Sequence, residues 1–356
     1  MKILAINPGS TSTKIAIFED TEEVLTKNLK HSVEDLKKYD LIFEQYDFRK
    51  KIILEEIEKE GFDITSFDAI VGRGGLLKPI QGGVYKVNQL MIDDLKAAKM
   101  GEHASNLGAP IALELAKAAG DDVDAFIVDP VVVDEMEELA RLSGVPELPR
   151  MSIFHALNQK AVGRRYARSK DSKYENLNLI IAHLGGGVSV GAHKAGQVID
   201  VNNALNGDGP FSPERSGGVP AGQLVKMCFS GKYEMSDIMK KLKGNGGLVA
   251  YLGTNDAREV ENRVSEGDKE AEKVYRAMAY QISKEIGALS AVLEGTVDAI
   301  ILTGGVAYDK TFVSWVKERV SFIAEVVVYP GEGEMTALAE GCFYGKTGEI
   351  EVREYV

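Results

Sequence analysis

Apolar residues fall along this chain in two kinds of pattern. The first is a short run bounded by turn residues: residues 3–6 read Ile-Leu-Ala-Ile and stop at Asn7-Pro8. Alternation resumes over 14–18, so a β-hairpin with an overlong small-residue tip is predicted. The same design recurs at 179–182, followed by His183-Leu184-Gly185-Gly186-Gly187 and a second strand over 188–192. Further strand-like runs lie at 67–71 and 125–128 in the first half, and at 297–302 and 325–329 in the second. The second pattern places apolar residues at three- and four-residue intervals over 90–100, 104–119, 153–166 and 269–293, which predicts helices. Strands interleaved with helices in two similarly built halves predict a duplicated α/β architecture with a central cleft.

The boundary is expected near residue 150, where Val145-Pro146-Glu147-Leu148-Pro149 interrupts the pattern. Domains of 1–150 and 151–334 follow, with a last helix over 335–344 packing back on the first domain and the tail to 356 completing it. At 356 residues the chain exceeds the usual size of one hydrophobic core, in keeping with two domains.

Composition narrows the function classes. With 44% hydrophobic and 27% charged residues, the chain reads as globular. Its net charge of −12 is spread along the sequence, which argues against nucleic acid or an anionic membrane as partner. Cys228 and Cys342 are its only cysteines; they offer neither a disulfide framework nor a metal-ligand spacing, and both are expected to be buried free thiols. No run reaches transmembrane length and residues 3–6 are too short for a signal-peptide core, so a cytoplasmic location is expected.

Several small-residue turns carry candidate chemistry. Asn7-Pro8-Gly9-Ser10-Thr11-Ser12-Thr13-Lys14 offers backbone N–H groups freed by Gly9, four hydroxyls and one cation, the inventory a triphosphate needs. An ordinary polar hairpin tip is the competing reading. Gly185, Gly186 and Gly187 between apolar strands imply close backbone approach, with His183 poised beside them as a structural ring or a donor to a phosphoryl oxygen. Thr303-Gly304-Gly305 follows an apolar strand and suits the adenosine end of a nucleotide. Arg73 and Arg215, flanked by glycines, are candidate forks for carboxylate or phosphate. Asp129 ends an apolar run, where it either serves Mg²⁺ or caps a helix over 131–142. Glu332 and Glu334 both remain open as metal carboxylates. The run 341–347, ending Gly345-Lys346-Thr347, is a Walker decoy, with three residues between its glycines where four are needed.

Six motifs in order resemble the acetate kinase family, most closely its butyrate kinase branch. They are Asn7 to Lys14, Gly72-Arg73-Gly74, Phe154-His155, His183 to Gly187, Phe211-Ser212-Pro213 with Arg215-Ser216-Gly217, and Thr303-Gly304-Gly305. The resemblance implies two ribonuclease-H-like domains of the actin-like ATPase fold. It also implies a carboxyl phosphotransferase that turns ATP and butyrate reversibly into ADP and butyryl phosphate with Mg²⁺, in a homo-oligomer. Acetate, propionate and branched acids are the alternative acceptors.

By that resemblance Asn7, Gly9, Ser10, Ser12 and Lys14 hold phosphates, with Gly185, Gly186, Gly187, Gly304 and Gly305 completing the nucleotide site. Asn7 and Glu334 hold the metal, with Asp129 helping to organise it. Arg73 and Arg215 grip carboxylate and phosphoryl group, His183 donates to the latter, and His155 lines the acceptor side. Gly75, Phe154 and Pro213 line the acid pocket.

Three departures from the acetate kinase pattern favour the butyrate branch. Gly74 and Gly75 stand where bulky apolar residues follow the first arginine, freeing volume for extra methylenes. Ala156-Leu157-Asn158-Gln159 replaces Gly-Thr-Ser-His after Phe-His. The stretch between Pro213 and Arg215 is shorter.

Overall fold

The computed structural model describes residues 1–356. The chain divides into two compact units, Met1–Asp134 with Gly333–Val356, and Glu135–Glu332. The boundary expected near residue 150 therefore falls inside the second unit. The reason is a buried anchor: Glu135 accepts two hydrogen bonds from the Lys160 ammonium, at 3.0 and 2.8 Å, and a third from the Val198 N–H at 2.8 Å.

The first unit contains β1 (Lys2–Pro8), β2 (Ser12–Glu19), β3 (Glu22–Lys30), β4 (Ala69–Gly72), β5 (Val84–Lys86) and β6 (Asp124–Val128). The second contains β7 (Leu179–Leu184), β8 (Val188–Lys194), β9 (Gln197–Val201), β10 (Ala299–Gly304) and β11 (Val326–Pro330). The last strand, β12 (Val352–Glu354), returns to the first sheet.

The sheet orders are β12-β5-β6-β4-β1-β2-β3 and β11-β10-β7-β8-β9. Each contains the same five-strand motif. Three antiparallel strands, β1 to β3 or β7 to β9, continue through two parallel neighbours, β4 and β6 or β10 and β11. The two hairpins read from the sequence thus open each motif.

Central strands such as β1, β4, β7 and β10 are apolar without alternation because helices cover both faces. On the first sheet, helix Gly108–Ala119 packs against β4 and β6, and helix Glu334–Lys346 against β1, β4 and β6. A Cβ added at Gly341 would lie 2.6 Å from a Val128 methyl, so the Walker-like run is a helix surface pressed on a strand. In the second unit, helix Lys269–Val292 lies against β7 and β8.

Two expectations need correction. Residues 131–142 form no continuous helix; only Glu138–Arg141 is helical. Asp129 turns the chain through a left-handed φ of 37°. The β-branched stretch beyond it then runs beside Ile80, whose carbonyl accepts from Asp134 and whose N–H donates to Val132. Cys342 is buried as expected but Cys228 is exposed, at the end of helix Ala221–Cys228, none of whose residues is buried. No helix is long and apolar enough to cross a membrane.

Candidate active site

In the first unit the β1–β2 hairpin delivers the candidate phosphate turn. The strands pair up to Asn7 with Lys14 and Pro8 with Thr13, and Gly9 closes the tip by donating its N–H to the Ser12 carbonyl at 2.7 Å. Period-two alternation sends Thr13 into the core and leaves Lys14 exposed, with Ser10 exposed at the tip.

The tip is held from behind by Arg49, which is only 1% exposed. Its guanidinium donates to the carbonyls of Gly9 (2.7 Å), Ser10 (3.2 Å) and Ser12 (3.1 Å), to the Thr13 hydroxyl (3.1 Å) and to the Gln45 side chain. Burial pulls its pKa down to about 10, still well above neutrality. One cation therefore collects the Gly9, Ser10 and Ser12 carbonyls on one side of the loop. His31 completes the brace, with Nε2 2.8 Å from the Thr13 hydroxyl and its backbone N–H on the Thr11 carbonyl.

Asn7, Arg73 and Glu334 converge. The Asn7 amide donates to one Glu334 oxygen at 2.7 Å, and the Arg73 guanidinium pairs with the other. Arg73 arrives because β4 lies parallel to β1, so that its N–H donates to the Ile6 carbonyl at 2.8 Å. Gly72 is required behind it: a Cβ there would stand 2.2 Å from the Gly108 carbonyl oxygen.

Of the two glutamates, Glu334 is the one that meets Asn7 and Arg73. Glu332 ends the second unit, where its carbonyl accepts from Asn158 at 2.7 Å. Gly333, at φ 54°, separates it from Glu334. Asp129 is fully buried, its Oδ1 accepting from the Gly83 N–H at 2.7 Å.

A side chain at Gly74 or Gly75 would meet atoms of the same unit. A Cβ on Gly75 would meet the Asn106 Cα at 2.6 Å and a Leu95 methyl at 2.7 Å; one on Gly74 would meet the Pro130 Cβ at 2.5 Å. The volume these glycines vacate is filled by their own unit.

In the second unit, His183 closes β7 and pairs across the hairpin with Ser189 and across the parallel ladder with Thr303. Its Nδ1 lies 2.7 Å from the Asn158 Oδ1. The Asn158 amide nitrogen donates to the Glu332 carbonyl, which fixes the amide's orientation, so His183 must carry a proton on Nδ1. A Cβ on Gly185 would sit 2.9 Å from the His183 Nε2, so this glycine leaves room for that edge of the ring. His155 caps helix Ala156–Ser169 and stacks on His183, with its Nδ1 2.8 Å from the Ser189 hydroxyl. Phe154 and Pro213 are buried beside their motifs.

The glycine turn is tied down by Ser212, whose hydroxyl donates to the Gly186 carbonyl at 2.6 Å. Arg215 lies over Gly187, where any Cβ would overlap its guanidinium, and donates to the Ala204 carbonyl at 2.8 Å. Its Nε is buried without a partner, and desolvation lowers its pKa from the ordinary value. Gly304, at φ 88°, lies where a Cβ would meet the Leu184 carbonyl oxygen at 2.4 Å, while Gly305 faces open space.

Sequence reasoning missed Arg49, Ser189, His193 and the positioning amides Asn158 and Gln159. The amides follow His155 at three and four residues. Ser189, Gly191 and His193 alternate on β8, a same-face signal that was available.

The acetokinase family model matches residues 148–324. The chain is 59% identical to butyrate kinase 2 of Clostridium acetobutylicum over 354 residues, 99% of each chain. It is 56% identical to a probable butyrate kinase of Clostridium botulinum over 356 residues, again 99% of each. Its fold matches a crystal structure of Porphyromonas gingivalis acetate kinase with a TM-score of 0.78 at 19% identity, covering 96% of this chain and 98% of that one. The duplicated five-strand motif is that of the two-domain actin-like ATPases, and on the full-length identity the chain belongs to the acetokinase family.

Proposed function

We propose that this enzyme transfers the γ-phosphoryl group of ATP to butyrate, giving butyryl phosphate and ADP reversibly. The observation that carries this reading is the full-length identity to relatives named butyrate kinase. A carboxylate oxygen attacks the γ-phosphorus, a P–O bond forms, and the bond to the β-phosphate oxygen breaks as ADP leaves. The acceptor is ionised at neutral pH and needs no general base. The chemistry instead demands positive charge and alignment.

The candidate groups fit that demand. Arg73 and Arg215 bind carboxylate and phosphoryl oxygens, and His183 donates to the phosphoryl group. Its Nδ1 proton is committed to Asn158, so the proposed contact uses Nε2. His155, with Phe154 and Pro213, lines the acceptor side. Asn7, Gly9, Ser10, Ser12, Lys14 and the turn Gly185 to Gly187 hold phosphates, and Gly304 and Gly305 take the adenosine end.

Mg²⁺ belongs to this proposal too. No three His, Cys, Asp or Glu side chains cluster as a metal cage. One carboxylate and one amide, Glu334 and Asn7, would suit an ion held mainly by phosphates and water, with Asp129 helping to organise it. When bound, it neutralises charge on the phosphate oxygens.

A homo-oligomer, dimer or larger, is supported by Phe229 and Met235, which are 87% and 81% exposed near a helix with no buried residue. Light scattering that returned a monomer would remove this part. A cytoplasmic setting follows from the supply of ATP.

The deciding experiment is a kcat/KM series over C2 to C6 linear and branched acids by hydroxamate trapping, with hexoses and glycerol alongside. A maximum at C4 is expected. Turnover of hydroxyl acceptors alone would overturn the carboxylate reading.

A further inference from the structure

Behind the two active-site imidazoles lies a buried polar chain that the proposed chemistry does not use. Ser189, Gly191 and His193 occupy alternate positions of β8, and helix Ala156–Ser169 lays Gln159 over them. Gly191 makes the space: a Cβ there would stand 2.7 Å from the Gln159 Oε1 and 3.2 Å from the His193 Nε2.

The direction of each hydrogen bond in the chain can be assigned. The Gln159 nitrogen lies 3.0 Å from the Ser189 carbonyl, which only accepts, so the nitrogen faces Ser189 and Oε1 faces His193. His193 Nε2, 2.9 Å from that oxygen, is therefore the donor. Its Nδ1, 2.6 Å from the Tyr174 hydroxyl, accepts. This describes a neutral ring, in agreement with complete burial, which drives its pKa well below the ordinary histidine value, helped by Lys160 and Arg164.

The same Gln159 nitrogen donates to the Ser189 hydroxyl at 2.9 Å, and the His155 backbone N–H approaches that oxygen at 3.4 Å. Its lone pairs are thus occupied, and the remaining neighbour, His155 Nδ1 at 2.8 Å, takes the serine proton. A fully buried hydroxyl does not leave its proton without an acceptor.

We propose that Gln159 is a positioning residue of the active site, locking His155 through Ser189 in the tautomer that bears its proton on Nε2. The stacked His183 bears its proton on Nδ1 instead. The two rings are held in opposite tautomers by opposite partners: a hydroxyl that donates to one and an amide oxygen that accepts from the other.

The kinetic part of the proposal rests on the acyl kinase reading; the tautomers do not. The chain has five histidines, so ¹⁵N-histidine labelling of the whole protein gives a resolvable long-range ¹H–¹⁵N spectrum, assigned by single substitutions. At a pH where the rings are neutral, His155 and His193 are expected to show a pyrrole-type Nε2, and His183 a pyrrole-type Nδ1. A pyrrole-type Nδ1 on His155 in the wild-type protein overturns the proposal and needs no variant to fold.

Gln159→Met and Ser189→Ala are each expected to mix the His155 tautomers and lower kcat roughly tenfold or more, with the KM for ATP nearly unchanged. Mixed tautomers at full kcat would overturn the catalytic role. The expected spectrum without turnover of any C2 to C6 acid would instead sink the acyl kinase reading and leave the lock standing.

Discussion

His155 and His183 stack face to face, with ring centroids 3.8 Å apart and planes 11° from parallel. They come from different elements, a helix cap and a strand end, and each Nδ1 is held by its own partner. Replacing Asn158 with Leu would remove the acceptor that fixes His183. The expected result is a fall in kcat on the order of tenfold to a hundredfold, with nucleotide affinity retained, measured by hydroxamate trapping and nucleotide titration.

Arg73 and Arg215 are expected to act on the transition state. Arg73→Ala and Arg215→Ala should each lower acyl phosphate formation by about 10²-fold or more while ATP still binds. Near-normal rates in either variant would remove that residue from the proposed mechanism.

Arg49 is a structural cation of the phosphate turn, not a ligand group. Arg49→Met leaves the Gly9, Ser10 and Ser12 carbonyls without their buried donor, which should cost about 3 kcal/mol of stability and raise the KM for ATP. Arg49→Lys should not restore either property, because one ammonium cannot span the fork's acceptors. Thermal unfolding and initial-rate kinetics check both.

Gly75 is predicted to govern stability and not acid selectivity. Gly75→Ala places a methyl 2.6 Å from the Asn106 Cα, an overpacking that should cost about 1–3 kcal/mol. The ratio of rates on C2 and C4 acids should stay the same; a shift toward shorter acids would restore the pocket reading.

His31 should make the first unit acid-sensitive. Burial, and then the charge of Arg49, lower its pKa to about 4 from the ordinary 6.5, against a smaller raising effect of Asp35. The unfolded chain binds the proton first as pH falls, so the contribution is whole above about 6.5. It declines below that value and is fully lost near 4, a difference on the order of 2 kcal/mol. Tm should fall across this window, and His31→Gln should flatten the profile; an equal slope in both proteins would exclude His31.

The paired hairpins, the glycine turns and the arginines beside them were legible in the sequence. Their signal is local: Gly, Ser and Asn at a strand tip serve few purposes, and apolar strands that end in glycines mark where backbone must approach something closely. The strand runs and the long helix Lys269–Val292 were legible for the same reason, since period and burial are written in neighbouring residues. Polar edge strand β3 carried no such period.

Tertiary structure alone decided what required residues far apart to meet. Glu334, not Glu332, joins Asn7 and Arg73 because the chain leaves one unit and enters the other at Gly333. Gly75, read as an empty pocket wall, is filled by Asn106 and Leu95, packing that a neighbouring pair of glycines cannot reveal. The proton positions on His155 and His183 depend on which way a buried hydroxyl and two amides point. That orientation exists only once helix Ala156–Ser169 lies across β7 and β8 and every buried donor must find its acceptor.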